Sequence, residues 1–177
     1  MGVSFNGHAG AIDWIQARFA AGKPATLYFD EVRTPTYVEC LNEVIEQVFC
    51  SDMSGIYHAG GPRKLSLYQI AQIVNKVGGY DPDLLMGCPR IDAGPIPPRA
   101  GNVTMNSQLL EEKLQRSPFL PWPLDKCLVP DSRSWHYERE RGNRAGRIED
   151  VKNQLYFRPE RLDFPVNFQA DYSTSVV

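Results

Sequence analysis

The chain of 177 residues has a formal net charge of −2 and a hydrophobic share of 42%, the balance of a soluble globular protein with a real core. That balance offers no footing for nucleic acid or a membrane surface, and no apolar run approaches the roughly 20 residues of a membrane span. The opening MGVSFNGHAG has neither a basic region nor an apolar core, so a cytoplasmic chain without a signal peptide is expected.

Ile12, Ile15 and Phe19 fall at helical spacing, which predicts a helix over Ala11–Ala21 that Gly22 ends. Lys23 and Pro24 lead into an apolar strand, Ala25–Phe29. Pro35 fixes its own φ and holds Thr34 extended, so the next helix must start beyond it, with Thr36 as the expected N-cap. Leu41, Val44, Ile45, Val48 and Phe49 share one face of that helix, which is read as its buried side. The stretch Leu27–Cys50 is therefore expected to organise the fold. GIYHAGG (Gly55 to Gly61) predicts a short buried strand ending in a glycine turn, with His58 a structural histidine inside it. Ser66 with Gln69 is a capping-box signature. The helix it opens, Leu67–Val77, should bury Ile70, Ile73, Val74 and Val77. Leu84–Cys88 is a further strand candidate.

From Pro89 to Asn102 the prolines make an extended loop of fixed shape that delivers Arg99 to Asn102. A helix over Ser107–Gln115 follows, capped by Asn106 or Ser107. Alternating helices and short strands predict an α/β fold. Beyond Pro118, prolines interrupt the chain, and Trp122 and Leu124 are expected to pack back on the body. Ser132–Arg147 holds five arginines against two glutamates, and is expected to be mobile or ordered by a partner. The organisation anticipated is an α/β lobe over 1–130 and an arginine-rich segment with an irregular tail over 131–177.

The chemistry-bearing motifs are few. Cys40, Cys50, Cys88 and Cys127 form no C-x-x-C pair, and only His8, His58 and His136 could assist them, so reduced thiols and no metal site are expected. No G-x-G-x-x-G, no phosphate loop of the G-x-x-x-x-G-K-[ST] type and no G-x-S-x-G is present. No tyrosine is followed by a lysine four residues on. Asp30 and Glu31 are neighbours on a turn and should point apart. No catalytic group can be named. Two arginines on rigid loops remain: Arg33, between a strand and a helix N-terminus, and Arg99, before Gly101, where a ligand could approach the backbone. Paired hydrogen bonds from two guanidiniums suit a diphosphate.

RTPTYVECL, GIYHAGG, LSLYQIAQIVNKV and RAGNV with MNSQLLEEKL resemble, in order and spacing, segments of the extended short-chain dehydrogenase/reductases that act on nucleotide sugars. The likeness runs from about Gly7 to Trp122 and is nearest the dTDP-4-dehydrorhamnose reductase group, with the sugar-nucleotide epimerases close by. It implies the small substrate-binding lobe, without the dinucleotide-binding Rossmann half. It also implies that Arg33, Thr36, Arg99 and Asn102 contact a nucleotide-diphosphate sugar. The family's cofactor glycines and Tyr-x-x-x-Lys pair have no counterpart here. Accordingly no cofactor is expected on this chain alone, whereas full-length relatives would use NAD(P)H. Partners implied are the missing dinucleotide-binding lobe or a partner chain, with homo-oligomerisation open. Asn102 stands where the family has Asp, and Cys40 replaces the Asp of D-L-A. A second reading is a non-catalytic module of the same fold, like the regulatory subunit of methionine adenosyltransferase. A third is an unrelated α/β domain.

Overall fold

The computed structural model describes residues 2–3, 10–95, 97, 100–139 and 148–156. Among the described residues, five α-helices and six short strands follow in the order β1 (Gly2–Val3), α1 (Ala11–Ala20), β2 (Ala25–Tyr28), β3 (Val32–Arg33), β4 (Thr36–Tyr37), α2 (Val38–Phe49), β5 (Leu65–Ser66), α3 (Leu67–Val77), β6 (Leu85–Cys88), α4 (Gln108–Leu114) and α5 (Ile148–Leu155). The strands pair two by two. β2 runs parallel to β6 in the register Ala25 to Leu85, β1 runs parallel to β4, and β3 is antiparallel to β5. The expected α/β class is what the chain adopts.

The organising element is α3 rather than the expected Leu27–Cys50 stretch. Ser66 Oγ accepts from the Gln69 N–H while the Gln69 side chain accepts from the Ser66 N–H, so the predicted capping box is formed. Ile70, Ile73 and Val74 are fully buried. Around them gather α1, β2, β6, α5 and the turn Trp135–Tyr137. The reason is pattern: α3 is apolar on one face and carries Tyr68, Gln72, Asn75 and Lys76 elsewhere, so both of its sides find partners.

Several expectations give way. α2 begins at Val38 with Tyr37 at the N-cap position, because Thr36 is drawn into β4 beside β1. On α2 only Cys40 and Val44 are buried; Ile45, Val48 and Phe49 are exposed, Phe49 to 84%. One edge of the apolar stripe meets the body, and among the described residues nothing covers the rest. Gly55–Gly61 forms no strand, since no described strand lies alongside to accept its backbone; Ile56 is 86% exposed and His58 is exposed rather than structural. Ser107 is the N-cap residue of α4, yet the Asn106 side chain supplies the hydrogen bond, to the Gln108 N–H.

The residues after Pro130 also differ from the mobile segment and shapeless tail expected. Trp135, His136, Val151 and Leu155 are buried, and Ile148–Leu155 is helical. Trp122 is fully buried, as expected, and its indole N–H donates to the Leu155 carbonyl at 2.9 Å. Apolar side chains too sparse to show a period still suffice when each meets the preformed α1–α3 surface. The remainder of Ser132–Arg147, from residue 140, lies outside the described residues.

Candidate functional site

The turn after β2 and the end of the proline-rich loop meet. Val32 and Asn102 form an isolated parallel bridge, with the Val32 N–H donating to the Gly101 carbonyl at 2.8 Å and the Val103 N–H to the Val32 carbonyl at 3.2 Å. The structure thus brings Arg33 and Asn102 together across nearly seventy residues. Asn102 is exposed, and its Oδ1 accepts from the Thr104 N–H. Arg99 lies outside the described residues. Thr36, in β4, is buried at 2% exposure.

Arg33 is engaged rather than simply presented. Its Nη1 donates to the carbonyls of Val32 (3.0 Å) and Gly101 (3.3 Å), and its Nη2 is ion-paired with the fully buried Glu31. Three of the five guanidinium N–H groups are thereby occupied, and two are left over among the described contacts. Asp30 and Glu31 do point apart: Asp30 is on the surface and binds Arg90 through its backbone N–H (3.0 Å) and Nε (3.1 Å). Burial opposes ionisation of Asp30, but these bonds from Arg90 hold its carboxyl below the usual range.

Arg90 is the cation that sequence reasoning missed. A Cβ added to Gly101 would run into the Arg90 guanidinium and come 3.1 Å from the Asp30 carbonyl. The close approach expected at Gly101 is therefore made by the protein's own arginine. Two guanidiniums, each neutralised by one carboxylate, flank Gly101. The signal in the sequence was only a lone arginine just after a strand, with no motif around it.

Beside this junction lies a cleft of about 430 Å³, lined by Thr34, Gly60, Lys64, Met105, Ser107 and Glu111 among others. Its wall is pinned by polar contacts: Ser107 Oγ donates to the Gly60 carbonyl and accepts from the Gly60 N–H, both at 2.9 Å, and the Met105 N–H donates to Thr34 Oγ1. A Cβ at Gly60 would collide with Thr34 Oγ1, so glycine is what lets the loop close on Thr34. Among the described residues no group of histidines, cysteines and carboxylates could hold a metal ion, and no helix is long and apolar enough to cross a membrane.

No family model and no curated protein matches the sequence. Solved structures do match, and they define the class: the chain has the fold of part of an extended short-chain dehydrogenase/reductase. One is the dTDP-4-dehydrorhamnose reductase of Bacillus anthracis str. Ames in complex with NADP, at TM-score 0.54 and 16% identity over 64% of this chain and 39% of that one. Another is DesIV, a dTDP-glucose 4,6-dehydratase from Streptomyces venezuelae with NAD and TYD bound, at TM-score 0.51 and 19% identity over 62% and 33%. A third is the UDP-glucose 4-epimerase of Thermus thermophilus in complex with NAD, at TM-score 0.50 and 22% identity over 69% and 40%. The chain spans about two fifths of the length of such proteins or less.

After β2, β4 and β6 no glycine-rich loop of the dinucleotide-binding kind follows. β2 runs into Phe29–Asp30–Glu31 and β6 into Pro89–Arg90, and neither turn has a glycine or opens an α-helix. β4 leads straight into α2 without a glycine loop.

Proposed function

We propose that this chain is the substrate-holding portion of a nucleotide-sugar reductase or epimerase, and that it contributes binding and orientation rather than chemistry. The ligand is a nucleotide-diphosphate sugar, and Arg33 and Arg99 with Asn102 are the residues assigned to its diphosphate and nucleoside. The observation that supports this most is the junction of the Arg33 turn with Gly101–Asn102, which joins the turn after β2 to the end of the proline-rich loop. Arg33 keeps two N–H groups for an anion. Hydride transfer and acid–base chemistry belong to groups supplied from outside the described residues, on the same or a partner chain. The solved neighbours that carry dTDP- and UDP-sugar names lend the substrate class; the fold alone does not fix it.

Calorimetric titration with dTDP and with a UDP-sugar tests the reading. A charge-assisted contact contributes about 1.5–3 kcal/mol, so Arg99→Ala should weaken binding by about tenfold or more. Arg99→Lys should restore only part of that, because an ammonium cannot make the paired contact. An unchanged dissociation constant in the Arg33→Ala/Arg99→Ala double variant would overturn the proposal.

A further inference from the structure

The segment after Pro130 lies along α3 in an unusual way: side chains of the helix read the segment's backbone. Tyr68, Gln72 and Lys76 are spaced four apart and so share one face. The Tyr68 hydroxyl donates to the Arg133 carbonyl (3.0 Å), and Gln72 Nε2 donates to the carbonyls of Ser132 (3.0 Å) and Arg133 (3.1 Å). Lys76 Nζ donates to the Trp135 carbonyl at 3.1 Å and sits 3.8 Å from the centre of the Trp135 ring. Arg139 closes the far end on the Asn75 side chain. At the near end the Arg133 guanidinium lies 4.0 Å over the Phe29 ring, one residue from Asp30.

His136 sits in the middle of this contact with no exposed surface, its Nδ1 3.1 Å from Gln72 Nε2. Two carbonyls oblige the amide nitrogen to be the group that faces them; its two hydrogens are shared among three acceptors, and Nδ1 turns its lone pair to this donor group. The ring is therefore the neutral tautomer with its proton on Nε2. A second proton would have to go on Nδ1, pointing at an N–H donor.

We propose that residues 131–139 are a proton-operated strap. It lies closed on α3 while His136 is neutral, holding Arg133 over Phe29, and opens when the imidazole is doubly protonated. The charged groups around the ring fit this. Burial first, then Arg139 on the strap and Lys76 on α3, disfavour the imidazolium; Asp83 and the Pro82 carbonyl, on the turn before β6, oppose them without prevailing. The Tyr68 ring meets the imidazole edge-on and the Tyr137 ring lies tilted beside it, both as neutral groups. The sign follows: the histidine's affinity for a proton is lower in the closed state than in the open one. Closure is then fully favoured above the open-state value near 6.5 and is lost as pH falls below it. Opening would bare the Phe29 face and withdraw a cation from the neighbourhood of the Asp30–Arg90 pair. The device does not depend on the ligand assigned above.

Hydrogen exchange on the full chain decides it. The Tyr137 and Glu138 amides, which donate to Ser134 and Trp135, should be protected at about pH 8 and lose at least tenfold of that protection, corrected for intrinsic rate, at about pH 5. Amides of α3 such as Ile73 and Val74 should keep theirs. In His136→Gln, which keeps an acceptor and cannot be charged, strap protection should be the same at both values. Should that variant fail to fold, the His136 ring resonances of the native chain provide the second readout, and they should titrate together with loss of strap protection. Equal protection at both pH values, an equal loss in His136→Gln, or a ring that titrates while the strap stays closed would each refute the strap.

Discussion

Gly61 lies against Pro35 so closely that a Cβ built on it would overlap the Pro35 carbonyl oxygen. The contact joins the end of the Gly55–Gly61 run to the turn between β3 and β4. It fixes where the candidate cleft's wall stands relative to Arg33. Gly61 has no positive φ, so the requirement for glycine is one of space and not of backbone conformation.

Gly61→Ala should therefore destabilise the fold by about 1–3 kcal/mol, the usual cost of forcing extra atoms into a packed backbone crossing. Gly55→Ala has open space around the added methyl, but its φ of 111° makes the substitution strained for a different reason. Urea unfolding of the two variants, with unchanged m-values, would separate overlap from strain.

How much of this was legible beforehand depends on whether an element's signal is local. The α3 capping box and its apolar face are properties of one consecutive stretch, Ser66 to Val77, and the helix appears with the predicted bounds. β2 and β6 were found, though not their pairing, because register is settled between distant segments. Gly55–Gly61 has strand composition but lacks a described neighbour, so propensity had nothing to pair with. At the site, Arg33 was legible from its place between a strand and a proline. Its buried partner Glu31 was visible only as one of two adjacent carboxylates, and Arg90 carried no pattern at all.

The Arg33–Glu31 pair gives a prediction that separates architecture from binding. Glu31 is fully buried, so Arg33→Met removes the cation paired with its carboxylate and should cost about 3 kcal/mol or more. Combining it with Glu31→Gln should recover much of that loss. Thermal or denaturant unfolding of the double-mutant cycle should show a coupling above about 1 kcal/mol; additive effects would mean the pair holds nothing together.

The exposed side of α2 makes a contrasting case. Phe49→Ser should shift stability by no more than about 0.5 kcal/mol, since the ring contacts little of the described body. Val44→Ala on the same helix, at a buried position, should cost about 1–3 kcal/mol. Similar losses for both would show that the apolar stripe is covered in solution, and sedimentation of the two variants would then report by what.

The last test concerns α5, which the amino-acid pattern alone did not reveal. Leu155 is fully buried, and its carbonyl receives the Trp122 indole N–H. Tyr156 beyond it donates to Asp13 on α1, at 3.0 Å. A helix so tied should unfold with the body. Leu155→Ala should then cost about 2–5 kcal/mol of global stability, as a buried leucine does. Trp122→Phe should cost about 1–3 kcal/mol, leaving a buried carbonyl without its donor. The two sites touch, so the double variant should depart from the sum by more than about 0.5 kcal/mol. Denaturant melts followed by backbone circular dichroism give all three values. A Leu155→Ala loss below about 0.5 kcal/mol, with a single unchanged transition, would mean that α5 is a loose appendage and contributes nothing to the core around α3.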